Sequence, residues 1–93
     1  MAYAATPKST AVTLTTHGTA YKAPGTAQAN RLLLKIFNDD QTNPIFYGDS
    51  AVTVSSGIYI APGGESDWIP CSGDIYVINN VTDSATVRTL ELA

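Results

Sequence analysis

Residues 31–37 read RLLLKIF and lie in the longest apolar run of this 93-residue chain. Successive side chains of a β-strand point to opposite faces of its sheet, so a strand here has two distinct sides. The side predicted to face inward carries Leu32, Leu34 and Ile36. The side predicted to face outward carries Arg31, Leu33, Lys35 and Phe37. A short helix over residues 27–34 is the competing interpretation, and we favour the strand.

The rest of the chain is divided into short pieces by seven Gly and five Pro. Thr, Val, Ile and Tyr dominate these pieces, and such residues fit a pleated, half-buried surface. Further strands are predicted at residues 11–16 (extended by 19–22), 45–47, 51–54, 58–60, 65–69, 74–79 and 85–92. The piece at 74–79 is apolar on both faces, which indicates a central strand. The pattern predicts an all-β fold, a single small antiparallel β-sandwich or jelly-roll-like barrel of about seven to nine short strands.

The length predicts one domain, since chains divide into several domains only at a few hundred residues. Residues 1–10 are small and polar without a strong strand pattern, so we expect an extended N-terminal arm followed by a β-sandwich over residues 11–93. The first residues lack the charged and apolar regions of a signal peptide, and no apolar stretch is long enough to span a membrane. A single Cys fits synthesis in a reducing cytoplasm.

The composition excludes several classes of protein. Apolar residues make up 44% of the chain, charged residues only 14%, and the net charge is −3. A disordered chain has low hydrophobicity and high net charge. A nucleic-acid-binding protein needs a basic stripe for the phosphates, which five cations in an acidic chain do not supply.

No residue pattern indicates catalysis, a cofactor or a metal. The one histidine, His17, precedes Gly18 in an expected turn, and no G-x-S-x-G motif accompanies it. Cys71 has no basic neighbour in sequence to lower its pKa, so we expect a loop residue. The acidic residues are scattered over different turns and do not form a calcium-binding loop. Those considered are Asp39, Asp40, Asp49, Asp67, Asp74 and Asp83.

Exposed aromatic and aliphatic side chains among uncharged polar residues indicate an interaction protein. Leu33 and Phe37 are predicted to face outward, and so are Phe46 and Tyr59; coverage of both faces by a second layer is the alternative. The arm, with Tyr3 and Lys8, is either a flexible tail or a strand added to a neighbour. Another function for exposed aromatic residues is a platform on which a carbohydrate stacks. Its members would be Trp68, Tyr59 and Tyr76.

Several segments together resemble small structural proteins of tailed phages and prophages, of the capsid decoration or cement type. These segments are NRLLLKIFN at 30–38, NPIFYG at 43–48, VT at 52–53, GIYIAPGG at 57–64, GDIYVI at 73–78 and VRTLE at 87–91. The resemblance covers about residues 28–92 and implies a small β-sandwich without catalytic residues. Four glycines of these segments stand where turns need a positive φ or a close backbone approach. They are Gly48, Gly57, Gly63 and Gly73.

The resemblance implies a virion structural protein on the outer surface of a phage capsid. Such a protein bridges subunits of the major capsid protein and stabilises the shell, because it binds the assembled state better than free subunits. We expect a homo-oligomer, a dimer or trimer, with no cofactor and no nucleic acid or membrane as partner, synthesised in the host bacterial cytoplasm. The alternative within the same virion is a component of the phage tail, connector or baseplate. In either case the interaction residues named above, together with Trp68, are the candidates for contact with the partner.

Overall fold

A computed structural model describes residues 6–80 and 84–93, and these residues form an all-β fold. The seven strands are β1 (Pro7–Leu14), β2 (Tyr21–Lys22), β3 (Leu33–Asn38), β4 (Ile45–Gly48), β5 (Ile58–Ile60), β6 (Tyr76–Ile78) and β7 (Ala85–Leu92). The predicted fold class is therefore confirmed. The competing helix over residues 27–34 is not formed. The described ranges hold no helix of the length and apolar character that a membrane crossing requires.

The strands form two antiparallel sheets. The first sheet has the order β1-β7-β3, and the second has the order β2-β6-β4-β5. In the first sheet Leu14 stands opposite Ala85, and Leu33 stands opposite Leu92. β7 has neighbours on both sides in the first sheet, as β6 has in the second, where a central strand was predicted.

The core lies between the sheets and is built from alternate residues of their strands. In β7 the buried positions include Ala85 and Val87, and in β3 they include Leu34 and Ile36. The second sheet contributes its own alternate residues to the same cluster, among them Ile45, Ile60 and Val77. Burying one such Leu, Ile or Val stabilises the fold by about 1.5–3 kcal/mol relative to exposure.

The predicted faces of residues 31–37 are correct in the middle of the segment and wrong at its start. Leu34 and Ile36 are buried as predicted, but Leu32 is 43% exposed and Arg31 only 2%. The regular strand begins only at Leu33, because Asn30 has a φ of 58° and turns the chain just before it. Arg31 is then drawn inward by a carboxylate that the sequence pattern does not reveal.

Two predicted strands are absent in their regular form. Residues 51–54 lie in turns, in which the Val52 amide donates to the Asp49 carbonyl (3.0 Å) and the Gly57 amide to the Thr53 carbonyl (2.8 Å). Residues 65–69 form only two isolated bridges, both to β3, joining Glu65 to Phe37 and Ile69 to Leu34. Turn chemistry in the first case and an irregular register in the second override the strand propensity.

The predicted arm is too long, because β1 already begins at Pro7. Residues 8–10 pair in register with residues 89–91 of β7, so they belong to the sheet. Tyr3 lies outside the described residues. The extension predicted at 19–22 is also different, since Tyr21 and Lys22 form β2 of the second sheet and not a continuation of β1.

Candidate interaction surface

The side of the first sheet that faces away from the core carries a set of apolar side chains, which we call the outer face. β3 and β7 place these residues side by side, because Leu33 stands opposite Leu92 and Lys35 opposite Leu90. The apolar members are half-buried. The outer face consists of Leu33, Lys35, Phe37, Leu90 and Leu92, with Trp68 beside them.

Trp68 reaches the outer face because residues 64–69, the edge segment, run along β3. The bridge between Leu34 and Ile69 places the preceding residue, Trp68, next to Lys35. The Lys35 ammonium nitrogen lies 5.2 Å from the Trp68 ring centroid and 3.3 Å from the Glu65 carboxylate. A cation held over an aromatic ring orients the ring as well as the charge.

Lys35 of the outer face and Arg88, which stands opposite Phe37 on the same side of the sheet, both have acidic partners within the chain. Lys35 pairs with Glu65, and Arg88 donates to the Asp39 carboxylate at 3.3 Å. Exposed pairs of this kind contribute little to stability. Their consequence here is electrostatic, because a partner that contacts this side meets no uncompensated charge from these two cations.

A groove of about 500 Å³ continues the outer face at one end. Phe37 and Leu90 supply apolar surface, and Arg88, Gln41 and Glu65 supply polar groups around it. A volume of this size is within the range of ligand and peptide sites, roughly 300–1,000 Å³.

Asn38 positions the two loops that border this groove. Its side-chain amide nitrogen donates to the carbonyl oxygens of Asn43 (2.9 Å) and Ala61 (3.1 Å), and its side-chain oxygen accepts from the Asp40 amide (3.0 Å). Asn38 is itself buried. A buried amide with these partners fixes both loops relative to β3.

The loop at residues 39–43 is further ordered by Asp40. The Asp40 carboxylate accepts the backbone N–H groups of Thr42 (2.8 Å) and Asn43 (3.1 Å). These bonds favour the ionised form, so they lower the pKa of Asp40 below its usual value, the Thr42 bond contributing most.

Two of the predicted turn glycines have a steric requirement that is plain in the structure. Gly63 has a φ of 69°, and a Cβ at Gly57 would lie 2.6 Å from the Cβ of Phe46. At Gly48 a Cβ would lie 3.0 Å from a Val52 methyl carbon. At Gly73 neither condition applies, since the nearest atom would be 3.8 Å away, and the prediction for Gly73 is wrong.

A buried ion pair holds the loop at residues 71–73, which follows the edge segment, against the first sheet. Arg31 Nη1 lies 3.0 Å from Glu91 Oε2, and both side chains are fully buried. The other guanidinium nitrogens donate to the carbonyl oxygens of Cys71 (2.8 Å) and Gly73. The Glu91 carboxylate also accepts a hydrogen bond from the backbone N–H of Gln28 at 2.8 Å. The pair therefore joins β7, the turn before β3 and the loop at 71–73.

The structure divides the predicted interaction residues between opposite sides of the molecule. Phe46 and Tyr59 stand opposite each other in β4 and β5, with ring centroids 5.7 Å apart and planes at 64°. They point outward from the second sheet, and Tyr59 is 60% exposed. Leu33, Phe37 and Trp68 lie on the other side of the molecule, on the first sheet.

Lys8 joins neither group. It stands opposite Glu91 in the β1–β7 register, so its side chain leaves the sheet on the side opposite the outer face, where it is exposed. The carbohydrate-stacking platform is not formed either. Tyr59 and Tyr76 belong to the second sheet, whereas Trp68, 40% exposed, belongs to the edge segment of the first.

The residues considered for chemistry are dispersed. His17 is exposed in a turn, and Cys71 is a partly buried free cysteine. In the ranges 6–80 and 84–93, no three His, Cys, Asp or Glu side chains are grouped as metal ligands. Burial raises the pKa of Tyr47 above its ordinary value of 10, and the charge of Asp67 adds to this.

Sequence reasoning missed the contribution of β7 to the outer face. Leu90 and Leu92 alternate with buried Thr89 and Glu91, so the period of two along residues 85–92 carries the signal. The same alternation that assigns the faces of residues 31–37 places both leucines on one face of β7.

Comparisons with protein-family models, curated proteins and solved structures gave no match.

Proposed function

We propose that this chain is a virion structural protein that decorates and cements the outer surface of a phage capsid. In this role it bridges neighbouring major capsid subunits and adds its binding free energy to the assembled shell. The chain also associates with itself on that surface. No catalytic step and no cofactor belongs to this function.

The outer face is the observation that carries the proposal. Leu33, Phe37, Leu90, Leu92 and Trp68 form an apolar surface with a groove at one end. Aromatic and aliphatic anchors in a surface depleted of free charge are typical of protein interfaces. A small all-β domain with one such face can lie flat against a larger assembly.

The charge distribution supports a protein surface as the partner. Lys35 and Arg88 are paired with acids of the same chain, and the chain as a whole carries a net charge of −3. A phosphate backbone would be bound by cations without internal partners. Apolar contacts with a polar rim suit the subunits of a protein shell.

The direct test is the binding of purified protein to expanded capsids that lack it. We expect saturable binding and a higher melting temperature of the loaded capsid. Occupancy on the order of hundreds of copies per particle is expected, since a cement repeats with the symmetry of the shell. Absence of binding, together with presence only in tail fractions at about a dozen copies or fewer, would favour the tail or baseplate alternative and reject the proposal.

A matched pair of variants locates the contact. Trp68→Ala removes an exposed aromatic ring from the outer face, and Tyr59→Ala removes one from the opposite side of the molecule. We expect Trp68→Ala to weaken capsid binding by about tenfold or more, as for an interface anchor. Tyr59→Ala should bind like the wild type. Equal effects of the two variants would contradict the assignment to the outer face.

A further inference from the structure

β1 lies at the edge of the first sheet, with β7 as its neighbour. Thr6 exchanges two backbone hydrogen bonds with Ala93, at 2.9 and 3.0 Å, in line with the β1–β7 ladder. Bonded and non-bonded residue pairs alternate in an antiparallel ladder, so every second residue from Thr6 onward bonds to β7. The residues between them direct their backbone groups away from β7. Those with both a donor and an acceptor are Ser9, Ala11 and Thr13.

In the part of the chain that the structure describes, this edge has few of the features that prevent one sheet edge from pairing with another. Edge strands are commonly short, charged, bulged or covered. β1 is eight residues long and pairs with β7 without interruption. Pro7, which has no N–H, and Lys8 are both at its start, and residues 9–14 carry no charge. The stretch from Ser9 to Thr13 therefore offers donors and acceptors suited to another extended chain.

A second copy of β1 meets this edge in a self-complementary way. In an antiparallel pair centred on Ala11, each Ala11 faces the other Ala11, and Ser9 of one copy faces Thr13 of the other. All the open donors then meet open acceptors. The same register places Lys8 opposite Leu14, so no two like charges face each other. Self-complementarity of this kind is what a two-fold interface requires.

The side chains also fit this pairing. Ser9 and Ala11 border a shallow hollow of about 200 Å³ beside Arg88, so nothing bulky stands at the centre of the edge. On the other side of the sheet Thr10 and Val12 are half-buried, and the pairing covers them further. The apolar surface of Val12 adds to the association as it leaves water.

We infer that the protein forms a dimer in which β1 pairs with β1 of a second copy about a two-fold axis at Ala11, giving one continuous six-stranded sheet. The inference rests on the self-association included in the proposed function, and it names the surface and symmetry of that association. It does not require the capsid, so the two can fail separately.

Sedimentation equilibrium of the purified full chain tests this with two charge variants. Ala11→Lys and Ala11→Glu each place like charges opposite each other at the axis, where such pairs destabilise a sheet. We expect the wild type to be a dimer and each variant alone to dissociate at least about fivefold more readily. An equimolar mixture should recover the dimer, because Lys then faces Glu. This recovery is specific to a two-fold axis at residue 11.

Ala11→Pro is a second variant with a different mechanism. It removes the edge N–H of both copies, and with it two hydrogen bonds, so dissociation of the dimer should increase by about thirtyfold.

Ser55→Lys is the control for the added charge. It adds a charge to an exposed turn of the second sheet and should leave the dimer unchanged. Thermal unfolding of each variant establishes that it is folded.

A wild type that is monomeric or trimeric overturns the inference, and so does a dimer that persists in all three Ala11 variants. Failure of the mixture to recover the dimer overturns the placement of the axis. Capsid binding by a monomeric wild type would reject this inference and leave the decoration role standing. A dimer that does not bind capsids would support this inference and reject the decoration role.

Discussion

The two edge strands of the first sheet, β3 and β1, differ in how many of their outward-directed backbone groups are bonded within the described residues. Along β3 the edge segment makes four backbone hydrogen bonds, and the Ser66 hydroxyl accepts a further one from the Ile36 amide. Along β1 the chain offers no such cover within the described residues, and three residues keep their donors and acceptors directed outward. Among residues 6–80 and 84–93, one edge is closed by the chain itself and the other is open.

This difference gives the two edges of the first sheet different backbone chemistry. Closing the β3 edge removes one side that could pair without control, and it places Trp68 beside Lys35 on the outer face. The dimer that we propose uses the β1 edge over a defined length and in a defined register.

Arg31→Met should have the largest effect on the closed edge. It leaves Glu91 buried without its cation and releases the carbonyl oxygens of Cys71 and Gly73. Breaking a buried pair in this way costs about 3–5 kcal/mol, and urea unfolding measures it. The double variant Arg31→Met/Glu91→Met should recover part of the loss. A cost below about 1 kcal/mol in the single variant would show that the pair does not hold this region.

Ser66→Ala should loosen the edge segment without removing the ion pair. The buried Ile36 amide loses its acceptor, since Ser66 Oγ lies 2.9 Å from it. An unsatisfied buried N–H costs about 1–3 kcal/mol, measurable by urea unfolding. Ser72→Ala, at an exposed loop position, is the matched control and should change stability by at most about 0.5 kcal/mol. Equal effects of the two variants would contradict the role of Ser66.

Amide hydrogen exchange should distinguish the two sides of β1. In dilute, monomeric protein the Thr10 and Val12 amides, which bond to β7, should exchange about a hundredfold or more slowly than those of Ser9 and Ala11. At high concentration the Ser9 and Ala11 amides should slow, because the second copy covers them. Exchange rates of Ser9 and Ala11 that do not depend on concentration would contradict the pairing.

The smallest expected effect is the pH dependence that Asp40 adds beside the groove. Its pKa is lowered in the folded state, so its stabilisation is full above the unfolded value of about 3.9 and is lost as the pH falls through the lower folded value. Asp40→Asn keeps an acceptor but does not titrate, so the wild type should lose more stability than the variant below about pH 4. Parallel urea midpoints from pH 6 to about pH 2 would contradict this.

The sequence predicts the strands well where hydrophobic alternation alone decides them. β7 matches its predicted bounds, and Leu34 and Ile36 face the core as expected. The alternation does not reveal that Arg31 turns inward, since its partner Glu91 is 60 residues away and pairs with it only once the first sheet is formed.

The candidate site could be predicted only in part, for a related reason. Leu33 and Phe37 follow from local alternation, but the arrival of Trp68 beside them depends on the irregular edge segment. The separation of Phe46 and Tyr59 from these residues depends on which strands share a sheet, and the residues of a short strand do not determine that.

The most direct test of the open edge is an isotope-filtered NOE measurement on a mixture of labelled and unlabelled protein. Pairing centred on Ala11 places Thr10 of one copy opposite Val12 of the other copy. The two residues form a non-bonded pair, in which their Hα atoms lie close together. We expect an intermolecular Hα–Hα cross-peak between these two residues. A dimer without this cross-peak, or with intermolecular contacts only on the second sheet, would contradict it.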